Sequence, residues 1–406
     1  MTPIWTTVGA AVFLAGAVWV IRRLRRRHVF LWLPAAVCGD WAGKREWLPA
    51  PDSGPTHILF CIADHFEPAH DDPGPEAERR RVEAWVRRYP ELAASFRDAD
   101  GRPPRHTFFY PAEQYDPEHL DRLAELVRAG YGEVEIHLHH ADDTSDGLRS
   151  ALREFMDRLV KHGHLGSGPD GAPRFGFVHG NWSLDNSLPD GSWCGVNDEL
   201  RMLAECGCYA DFTLPSAPSA AQTRRINSIY YAVDDPERPK SHDDGVEVRV
   251  NTPPSGDLMI VQGPLTILWP GGKFGVLPRL EAGNLSAGAP PTPARADAWI
   301  RTRVCVSGRP DWVFVKVHTH GCAGANPEML LGDPMRRLHE RLCRHYNDGT
   351  RYRLHYVTAR EMVNIIHAAE QGKTGDPGTY RNFEIRPPVA AVNETGKIPS
   401  SMETIG

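Results

Sequence analysis

From residue 55 onward, short apolar runs alternate with segments in which apolar residues recur at helical spacing. The run HILFCIA at residues 57–63 predicts a buried strand, and the amphipathic segment 117–129 predicts a helix that ends at Gly130. This alternation predicts an α/β fold with a mainly parallel sheet or barrel. Further strands are predicted at 107–110, 133–139, 175–178, 209–214, 312–317 and 352–357, and further helices at 147–161 and after a capping box at 358–361.

Two segments interrupt this rhythm. Residues 216–300 are rich in Pro, Gly and Ser, and we interpret them as a loop and hairpin insertion over one end of the barrel. Within this insertion, the alternation at 246–251 and the apolar run at 258–262 predict the two strands of the hairpin. Residues 371–406 lack periodicity, and we predict a flexible tail there.

The N-terminal region has the pattern of a membrane anchor. Residues 4–21 are uncharged and mostly apolar, and a helix of this length spans about 27 Å, close to the thickness of the bilayer core. Five arginines follow within residues 22–27, whereas a cleaved signal peptide carries its positive charge before the apolar run. We therefore expect residues 1–28 to form a single-pass transmembrane helix in the inner (cytoplasmic) membrane, with a cytoplasmic catalytic domain. A buried hydrophobic helix is the alternative, and residues 29–54 are predicted to lie at the membrane interface.

Composition and charge restrict the class of protein. Of the 406 residues, 41% are hydrophobic and 24% are charged, which is typical of a globular protein and excludes a disordered or fibrous chain. The net charge of −6 argues against nucleic acid as a partner, although residues 1–50 are themselves positively charged. The eight cysteines are scattered, so they do not indicate the framework of a disulfide-rich protein.

Polar side chains follow several of the predicted strands at the points where these strands end. In α/β folds, catalytic groups collect at the carboxyl ends of the strands, so residues that follow different strands meet there. A single histidine at a strand end is usually structural, but the repetition at several ends predicts a site centred on a metal ion. The strand-end groups are Asp64, His65, Glu67, His137, His139, His179, His318 and His320.

The spacing of the histidines supports this interpretation. His137 and His139 are two residues apart, so their side chains face the same side of a strand, and the same holds for His318 and His320. Paired imidazoles suit a divalent metal, zinc above all. A hydrogen-bonded polar cluster without metal is the alternative. The predicted metal ligands are Asp64, His65, His137 and His139.

A wider set of residues completes the predicted site. Asp143 becomes a further ligand if the chain turns into a helix after His139. Trp182 and Asn181 are predicted to contact a sugar ring of the substrate. The further candidates for the metal site are Glu67, Asp143, His179 and His320.

Several of these motifs follow one another in an order that is shared with a known group of enzymes. A strand ending in Asp64-His65 is followed by Thr-Phe-Phe at 107–109, Glu-Ile-x-x-His at 135–139, a late strand ending in His, and Val-Thr-x-x-Glu-Met at 357–362. Over residues 55–370, this order resembles the polysaccharide deacetylase superfamily (carbohydrate esterase family four, which includes the nodulation deacetylases), and more closely its relatives in bacterial surface-polysaccharide biosynthesis. The resemblance implies a distorted (β/α)7 barrel that uses a divalent metal to remove N- or O-acetyl groups from a carbohydrate, such as a lipid-linked sugar.

The resemblance also implies positions for individual residues. Asp64 matches the catalytic base of the family, and His65 stands where the family has a ligand aspartate. His139 matches the first histidine of the metal-binding pair, and Asp143 occupies the second position. His318 best matches the general acid. The chain thus keeps metal-binding residue types but changes their order.

The implied mechanism follows from these positions. Asp64 takes a proton from a metal-activated water molecule, and His318 gives a proton to the leaving amine. If Asp64 binds the metal instead, Glu67 or Asp143 becomes the base. Where the family has an Arg and a Pro that brace the base, this chain has His-Gly-Asn-Trp at 179–182.

Two other functions are compatible with the sequence. A metal-dependent glycoside hydrolase on a similar barrel would need two carboxylates beside the glycosidic bond. A catalytically inactive barrel that binds glycan or acts as a scaffold would account for the altered motifs. Metal content would separate the deacetylase from the inactive scaffold. Release of acetate or of reducing sugar would separate the deacetylase from the glycoside hydrolase.

Overall fold

The computed structural model describes residues 3–38, 54–268 and 279–391. It confirms an α/β fold, because twelve of the described strands form one mostly parallel sheet and two more form a small separate sheet. In chain order, the strands are β1 (Thr56–His65), β2 (His106–Pro111), β3 (Gly132–Leu138), β4 (Gly166–Ser167), β5 (Pro173–His179), β6 (Cys208–Asp211), β7 (Ile229–Ala232), β8 (Gly245–Glu247), β9 (Leu258–Val261), β10 (Thr266–Leu268), β11 (Arg279–Glu281), β12 (Asn284–Leu285), β13 (Trp312–Thr319) and β14 (Tyr352–Tyr356). The α-helices are α1 (Pro3–Arg26), α2 (Val29–Cys38), α3 (Pro75–Ala93), α4 (Pro117–Arg128), α5 (Ser145–Lys161), α6 (Glu199–Glu205), α7 (Pro293–Arg301), α8 (Asn326–Leu330), α9 (Asp333–His345) and α10 (Ala359–Glu370).

The central sheet runs in the order β12-β13-β1-β2-β3-β5-β6-β9-β7-β8. Neighbouring strands from β12 to β9 are parallel, and β7 and β8 add an antiparallel edge. Strand β1 also pairs with β14: residues 56–60 of β1 pair with β14, and residues 63–65 pair with β2. Strands β2 and β3 therefore begin close to the level at which β14 ends.

The residues of β1 alternate between two hydrophobic cores. Phe60 and Ile62 pack with the helices that cover one face of the sheet. Leu59 and Cys61 belong to a second core on the opposite face. All ten residues of the strand are buried, which explains why its sequence is an almost continuous apolar run.

The second face of the sheet is concave. Lys316 on β13 reaches across it and donates hydrogen bonds to the carbonyl oxygens of Phe212 and Leu214, both at 2.6 Å. Among the described strands, no hydrogen bonds pair the edge strands β12 and β8. The described part of the sheet is therefore curved but does not form a closed barrel.

Helix α10 packs against the core of the concave face. Thr358 and Glu361 form the capping box that the sequence predicts, and eleven of the twelve residues of α10 are buried. A helix buried on all sides belongs inside a fold, and α10 contacts β1 and β5 there.

The segment 216–300 differs from the prediction. The prediction that residues 246–251 and 258–262 pair as a hairpin is wrong, because β7 lies between β8 and β9 and pairs with both. The apolar run Ile229–Ala232 of β7 is fully buried, and it takes the edge of β9 that the predicted hairpin needed. Strand β9 also pairs with β6, so this segment extends the sheet as well as supplying loops.

Both terminal regions of the chain lie partly outside the described residues. The predicted flexible tail is wrong for residues 371–391, where Arg381 is buried and hydrogen bonds the carbonyl of Tyr356; residues 392–406 lie outside the described residues. Residues 39–53 of the predicted interfacial segment also lie outside them. Among the described helices, none combines the length and the apolarity that crossing a membrane requires.

Candidate metal centre

Five polar side chains meet where β1, β3 and β13 end. His65 is the last residue of β1 and lies on the concave side with Ala63, because alternate residues of a strand share a side. His137 lies in β3, His139 follows it at the predicted spacing, and His320 follows the end of β13. We call this group the inner cluster; its members are His65, Glu67, His137, His139 and His320.

Glu67 is the centre of the inner cluster. Its Oε1 atom lies 3.1 Å from Nε2 of His137, 3.4 Å from Nδ1 of His320 and 3.7 Å from Nε2 of His139. Its other oxygen lies 3.0 Å from Nδ1 of His70. The carboxylate is 4% exposed, so imidazoles rather than water surround it.

The far nitrogens of two histidines fix how their rings face this carboxylate. Nδ1 of His137 donates to the carbonyl oxygen of Val178 at 3.0 Å, and Nδ1 of His139 donates to Glu113 at 2.5 Å. In the neutral ring, each Nε2 then directs a lone pair at Glu67. Two lone pairs that converge on a carboxylate oxygen need a proton or a metal ion between them, and the second case is the usual arrangement of histidine ligands in zinc sites.

The remaining histidines of the inner cluster are His65 and His320. Nδ1 of His65 is buried and has no hydrogen-bond partner within the described part of the chain, whereas Nδ1 of His320 is buried and faces Glu67 at 3.4 Å. The ring centroids of His65 and His320 are 4.5 Å apart, and those of His65 and His137 are 4.7 Å apart. These atoms add nitrogen donors to a set that already resembles the His2Glu ligands of catalytic zinc sites.

The pKa shifts of His65 and Glu67 agree with this arrangement, whereas for His139 burial lowers the pKa but Glu113 and Glu67 outweigh it and raise that pKa. Burial lowers the pKa of His65 well below its usual value, and the neighbouring His320 and His137 lower it further. Burial alone would raise the pKa of the Glu67 carboxyl, but its contacts with His137 and His320 hold that pKa well below its usual range. A neutral imidazole beside an ionised carboxylate is the protonation state that a divalent cation requires.

Asp64 is not part of the inner cluster. Because it is adjacent to His65 in the strand, its side chain lies on the opposite face, where Oδ2 accepts a hydrogen bond from Nε2 of His106 at 2.8 Å. Its Oδ1 accepts from the backbone nitrogen of Gly321 at 2.5 Å, and a Cβ at position 321 would collide with the carboxylate. The structure therefore corrects the expected role of Asp64: it connects β1, β2 and the loop after β13, and it does not face the predicted ligands.

His318 lies on the concave face beside the inner cluster. Burial lowers its pKa well below the usual value, and the charge of Lys316 adds to this effect. A histidine that stays neutral is poorly suited to the predicted role of general acid. His320 is partly exposed, with 29% of its side chain accessible, and its nitrogen faces Glu67. The structure therefore favours His320 over His318 for moving a proton.

Trp182 forms one wall of the inner cluster. Its ring stacks on His65 at 4.8 Å between centroids and meets His318 edge-on at 5.1 Å. Asn181 does not join this wall, because its side-chain amide donates to the carbonyl of His140 at 3.1 Å. Gly180 allows the loop to approach closely, since a Cβ there would collide with the ring of His139.

Two predicted candidates belong to a different group. His179 is directed to the helix-covered side of the sheet, where it lies with His140. Asp143 lies 3.5 Å from Nδ1 of His140 and does not reach the inner cluster. We call the group of His140, His179, Cys194 and Glu199 the outer cluster.

Sequence reasoning missed three residues that the structure places at these sites. Glu113 lies in a short helical turn after β2 and orients His139. Cys194 and Glu199 come from the loop after β5 and from the start of α6. None of the three lies in a strand, so no periodic pattern could have assigned its direction.

The comparisons with known proteins add nothing to this geometry. The chain matches no family model, and a search of curated proteins also gives no match.

Proposed function

We propose that the protein is a metal-dependent hydrolase in which Glu67, His137 and His139 hold a divalent ion, zinc above all. The observation that carries this proposal is the convergence of two Nε2 atoms, whose opposite nitrogens already donate hydrogen bonds, on one buried carboxylate oxygen. A bound divalent ion would lower the pKa of a water molecule and polarise a carbonyl group.

The chain's own residues supply the other parts of a hydrolytic site. Glu113 accepts a hydrogen bond from Nδ1 of His139 and so orients the ring with Nε2 toward Glu67. Burial lowers the pKa of His139, but Glu113 and Glu67 outweigh it and raise that pKa, so an ion at Nε2 would displace a proton from this ring. Nδ1 of His320 lies within 3.4 Å of Glu67 and is placed to take or give a proton. Trp182 covers His65 and keeps water away from that side of the cluster.

The order of the sequence motifs supports an acetylated carbohydrate as the substrate. On this basis, the curved sheet is an open form of the distorted (β/α)7 barrel, and the reaction removes an N- or O-acetyl group in polysaccharide biosynthesis. Because Asp64 binds His106 and Gly321, proton transfer falls to His320 rather than to Asp64. Trp182 is an aromatic surface on which a sugar ring can stack.

The first test is the metal content of the full-length protein and its variants. We expect Glu67→Gln and His137→Ala each to lose about one equivalent of zinc relative to the wild type. His164→Ala is the matched control, because His164 is a buried histidine that binds the carbonyl of Leu120 far from the inner cluster. Circular dichroism would show whether each variant folds.

The second test identifies the reaction. Acetylated chitooligosaccharides and acetylated xylan are incubated with the zinc-loaded protein, and acetate and reducing sugar are measured. Acetate release that requires Glu67 supports the proposal, whereas reducing sugar without acetate favours a glycoside hydrolase. Equal zinc content in the wild type and Glu67→Gln would contradict the proposed ligand set and favour a glycan-binding scaffold.

We retain the inner membrane as the proposed location, with a lipid-linked sugar as substrate. The proposal depends on residues 4–21 and on the five arginines that follow them. Fractionation of cells that express the full chain tests it. Recovery of the protein from the membrane pellet only in the absence of salt would contradict a spanning anchor and indicate surface binding.

A further inference from the structure

The outer cluster lies behind the inner cluster, on the opposite face of the same strand ends. His140 follows His139 directly, and its ring lies 4.5 Å from that of His179 between centroids. His179 is the last residue of β5 and shares the side of Phe175 and Phe177, which pack in the helix-covered core. Glu199 is the first residue of α6, and its carboxylate reaches His140 from the helix-covered side.

The four side chains bring their donor atoms within 4.8 Å of one another. Oε1 of Glu199 lies 3.2 Å from Nε2 of His140 and 3.9 Å from Nε2 of His179. Oε2 of Glu199 lies 3.4 Å from Sγ of Cys194. Two imidazoles, one thiol and one carboxylate form a mixed N/S/O set of the kind that binds zinc with four ligands.

In the described part of the chain, burial leaves an atom of this group unpaired, although Glu199 accepts hydrogen bonds from the backbone nitrogen of Asp185 and from the Cys194 thiol. His179, Cys194 and Glu199 have no exposed surface, and Nε2 of His179 has no hydrogen-bond partner among the described residues. An unpaired polar atom in the interior is unfavourable, and a buried carboxylate needs a positive partner. In the described structure around Glu199, that partner can be a protonated His140 or a bound ion.

The loop that carries Cys194 gives a reason for an ion at this place. This loop joins β5 to α6, and several of its non-glycine residues have positive φ, a conformation that most side chains disfavour. Such a conformation persists only when the surrounding structure holds it. The residues with positive φ are Trp182, Asp185, Asn186 and Trp193.

We propose that His140, His179, Cys194 and Glu199 hold a second, structural divalent ion of the zinc class, which fixes the loop between β5 and α6. This loop carries Trp182, so the ion would set the position of one wall of the inner cluster. The proposal does not depend on an ion at Glu67, because the two clusters share no ligand.

Binding would change the protonation of two groups. The Cys194 thiol would lose its proton to solvent, since the thiolate is the form that binds a metal. His179 would carry its ring proton on Nδ1, so the 3.2 Å contact of that atom with the backbone nitrogen of Asn181 would open. The ring of His140 would keep its proton on Nδ1, on the side of Asp143.

The test uses cobalt(II), which reports thiolate ligands directly. The full-length, metal-free protein is titrated with Co²⁺, and absorption is followed in the near ultraviolet, where thiolate-to-cobalt charge transfer occurs. We expect this band in the wild type, with about two equivalents of ion bound. The inner cluster has nitrogen and oxygen ligands, so it contributes binding without the band.

Variants assign the band to its cluster. Cys194→Ser should lose the band and about one equivalent of ion, whereas Cys208→Ser, which alters another buried thiol, should keep both. Glu67→Gln should lose about one equivalent and keep the band. Loss of the band in Glu67→Gln but not in Cys194→Ser would overturn the proposal.

The failures of the two proposals can be told apart. Absence of the band in the wild type would show that the outer cluster is a hydrogen-bonded group with a protonated His140, whatever the variants do. Retention of full binding in Glu67→Gln, with the band present, would instead remove the ion from the inner cluster and leave the outer one. The wild-type spectrum decides the matter even if Cys194→Ser fails to fold.

Discussion

Two buried polar groups of this protein lie near opposite ends of β3, and they are neutralised in different ways. At the carboxyl end, the inner cluster surrounds one carboxylate with imidazoles, and Nδ1 of His65 has no partner in the described structure. At the amino end, beside the start of α10, three arginines meet buried carboxylates. We call this second group the arginine network; its members are Arg105, Glu133, Arg360, Glu361 and Arg381.

The difference lies in the source of the positive charge. In the arginine network, Nη2 and Nε of Arg360 donate to the two oxygens of Glu133 at 2.7 and 2.9 Å. Arg381 donates to Glu361 at 3.1 Å, and Arg105 binds the same carboxylate. These guanidinium groups are permanent cations, so the network needs nothing from outside. In the described structure, imidazoles and no guanidinium group contact the Glu67 carboxylate, so the proposed cation of the inner cluster would come from solution.

The largest expected effect comes from removing one arginine of the network. Arg360→Met leaves Glu133 buried without its bidentate partner, and we expect the free energy of unfolding to fall by about 3–5 kcal/mol. Urea denaturation of the full-length protein measures this change. Arg341→Met is the control, because the Arg341–Asp297 pair is partly exposed and its loss should lower stability by about 1 kcal/mol or less. Similar losses for the two variants would show that the network is not a special element of stability.

The second expected effect concerns the inner cluster. Because its cation comes from solution, zinc should stabilise the protein, by about 2.7 kcal/mol when free zinc is 100 times the dissociation constant. Thermal unfolding with zinc and with a chelator measures the gain, and Glu67→Gln should reduce it. Arg341→Met should show the same gain as the wild type. If zinc stabilises Glu67→Gln as much as the wild type, the ion is not held at Glu67.

The sequence predicted one part of this comparison through strand alternation. His137 and His139 face the same side because the period of two holds through β3, and the structure confirms it. The same rule separates Asp64 from His65, yet both were expected at one site because a motif paired them. Periodicity within the strand was thus the better guide, and both the strand-end argument and the resemblance placed Asp64 on the wrong side.

The sequence named Glu67 as a candidate without fixing the direction of its side chain, and it did not identify Glu113 or Cys194. Glu67 lies beyond the end of β1, where alternation no longer fixes the direction of a side chain. Glu113 and Cys194 reach their clusters through a helical turn and a loop whose course depends on the tertiary structure. The capping box at Thr358 was predictable because it is local, whereas the β8–β9 hairpin failed because β7, distant in the sequence, competes for the same edge.

A third, smaller effect concerns Glu113, which hydrogen bonds the proposed ligand His139. Glu113→Gln keeps the size of the side chain but weakens its hold on Nδ1 of His139, so zinc affinity should fall by about 10- to 100-fold. Competition with a chromophoric chelator measures this change. Glu118→Gln, which alters an exposed residue paired with Arg79, is the control and should leave the affinity unchanged. An unchanged affinity in Glu113→Gln would show that His139 is not a ligand.

The smallest expected effect is a difference in how the stability of the two ends of β3 depends on pH. Burial lowers the pKa of His318 well below its usual value, so the unfolded chain binds this proton near pH 6.5 while the folded chain does not. The contribution of His318 to stability is therefore intact above about pH 6.5 and falls as the pH drops below it. Burial would raise the pKa of Glu361, but Arg105 and Arg381 outweigh it and hold that pKa far below its usual value. The contribution of Glu361 is thus present above about pH 4.3 and is lost only at lower pH.

One variant can separate the pH range in which His318 affects stability from the range in which Glu361 does. Urea midpoints of the metal-free protein, measured from about pH 8 to about pH 3, should fall in two stages, the histidines first and the arginine network second. His318→Gln should shrink the first stage and leave the second, because Gln does not titrate and His318 does not contact the network. A variant curve parallel to that of the wild type would show that His318 is protonated equally in the folded and unfolded chains. The concave face would then be wetter at His318 than its burial indicates, and the contrast between the two ends would rest on Glu67 alone.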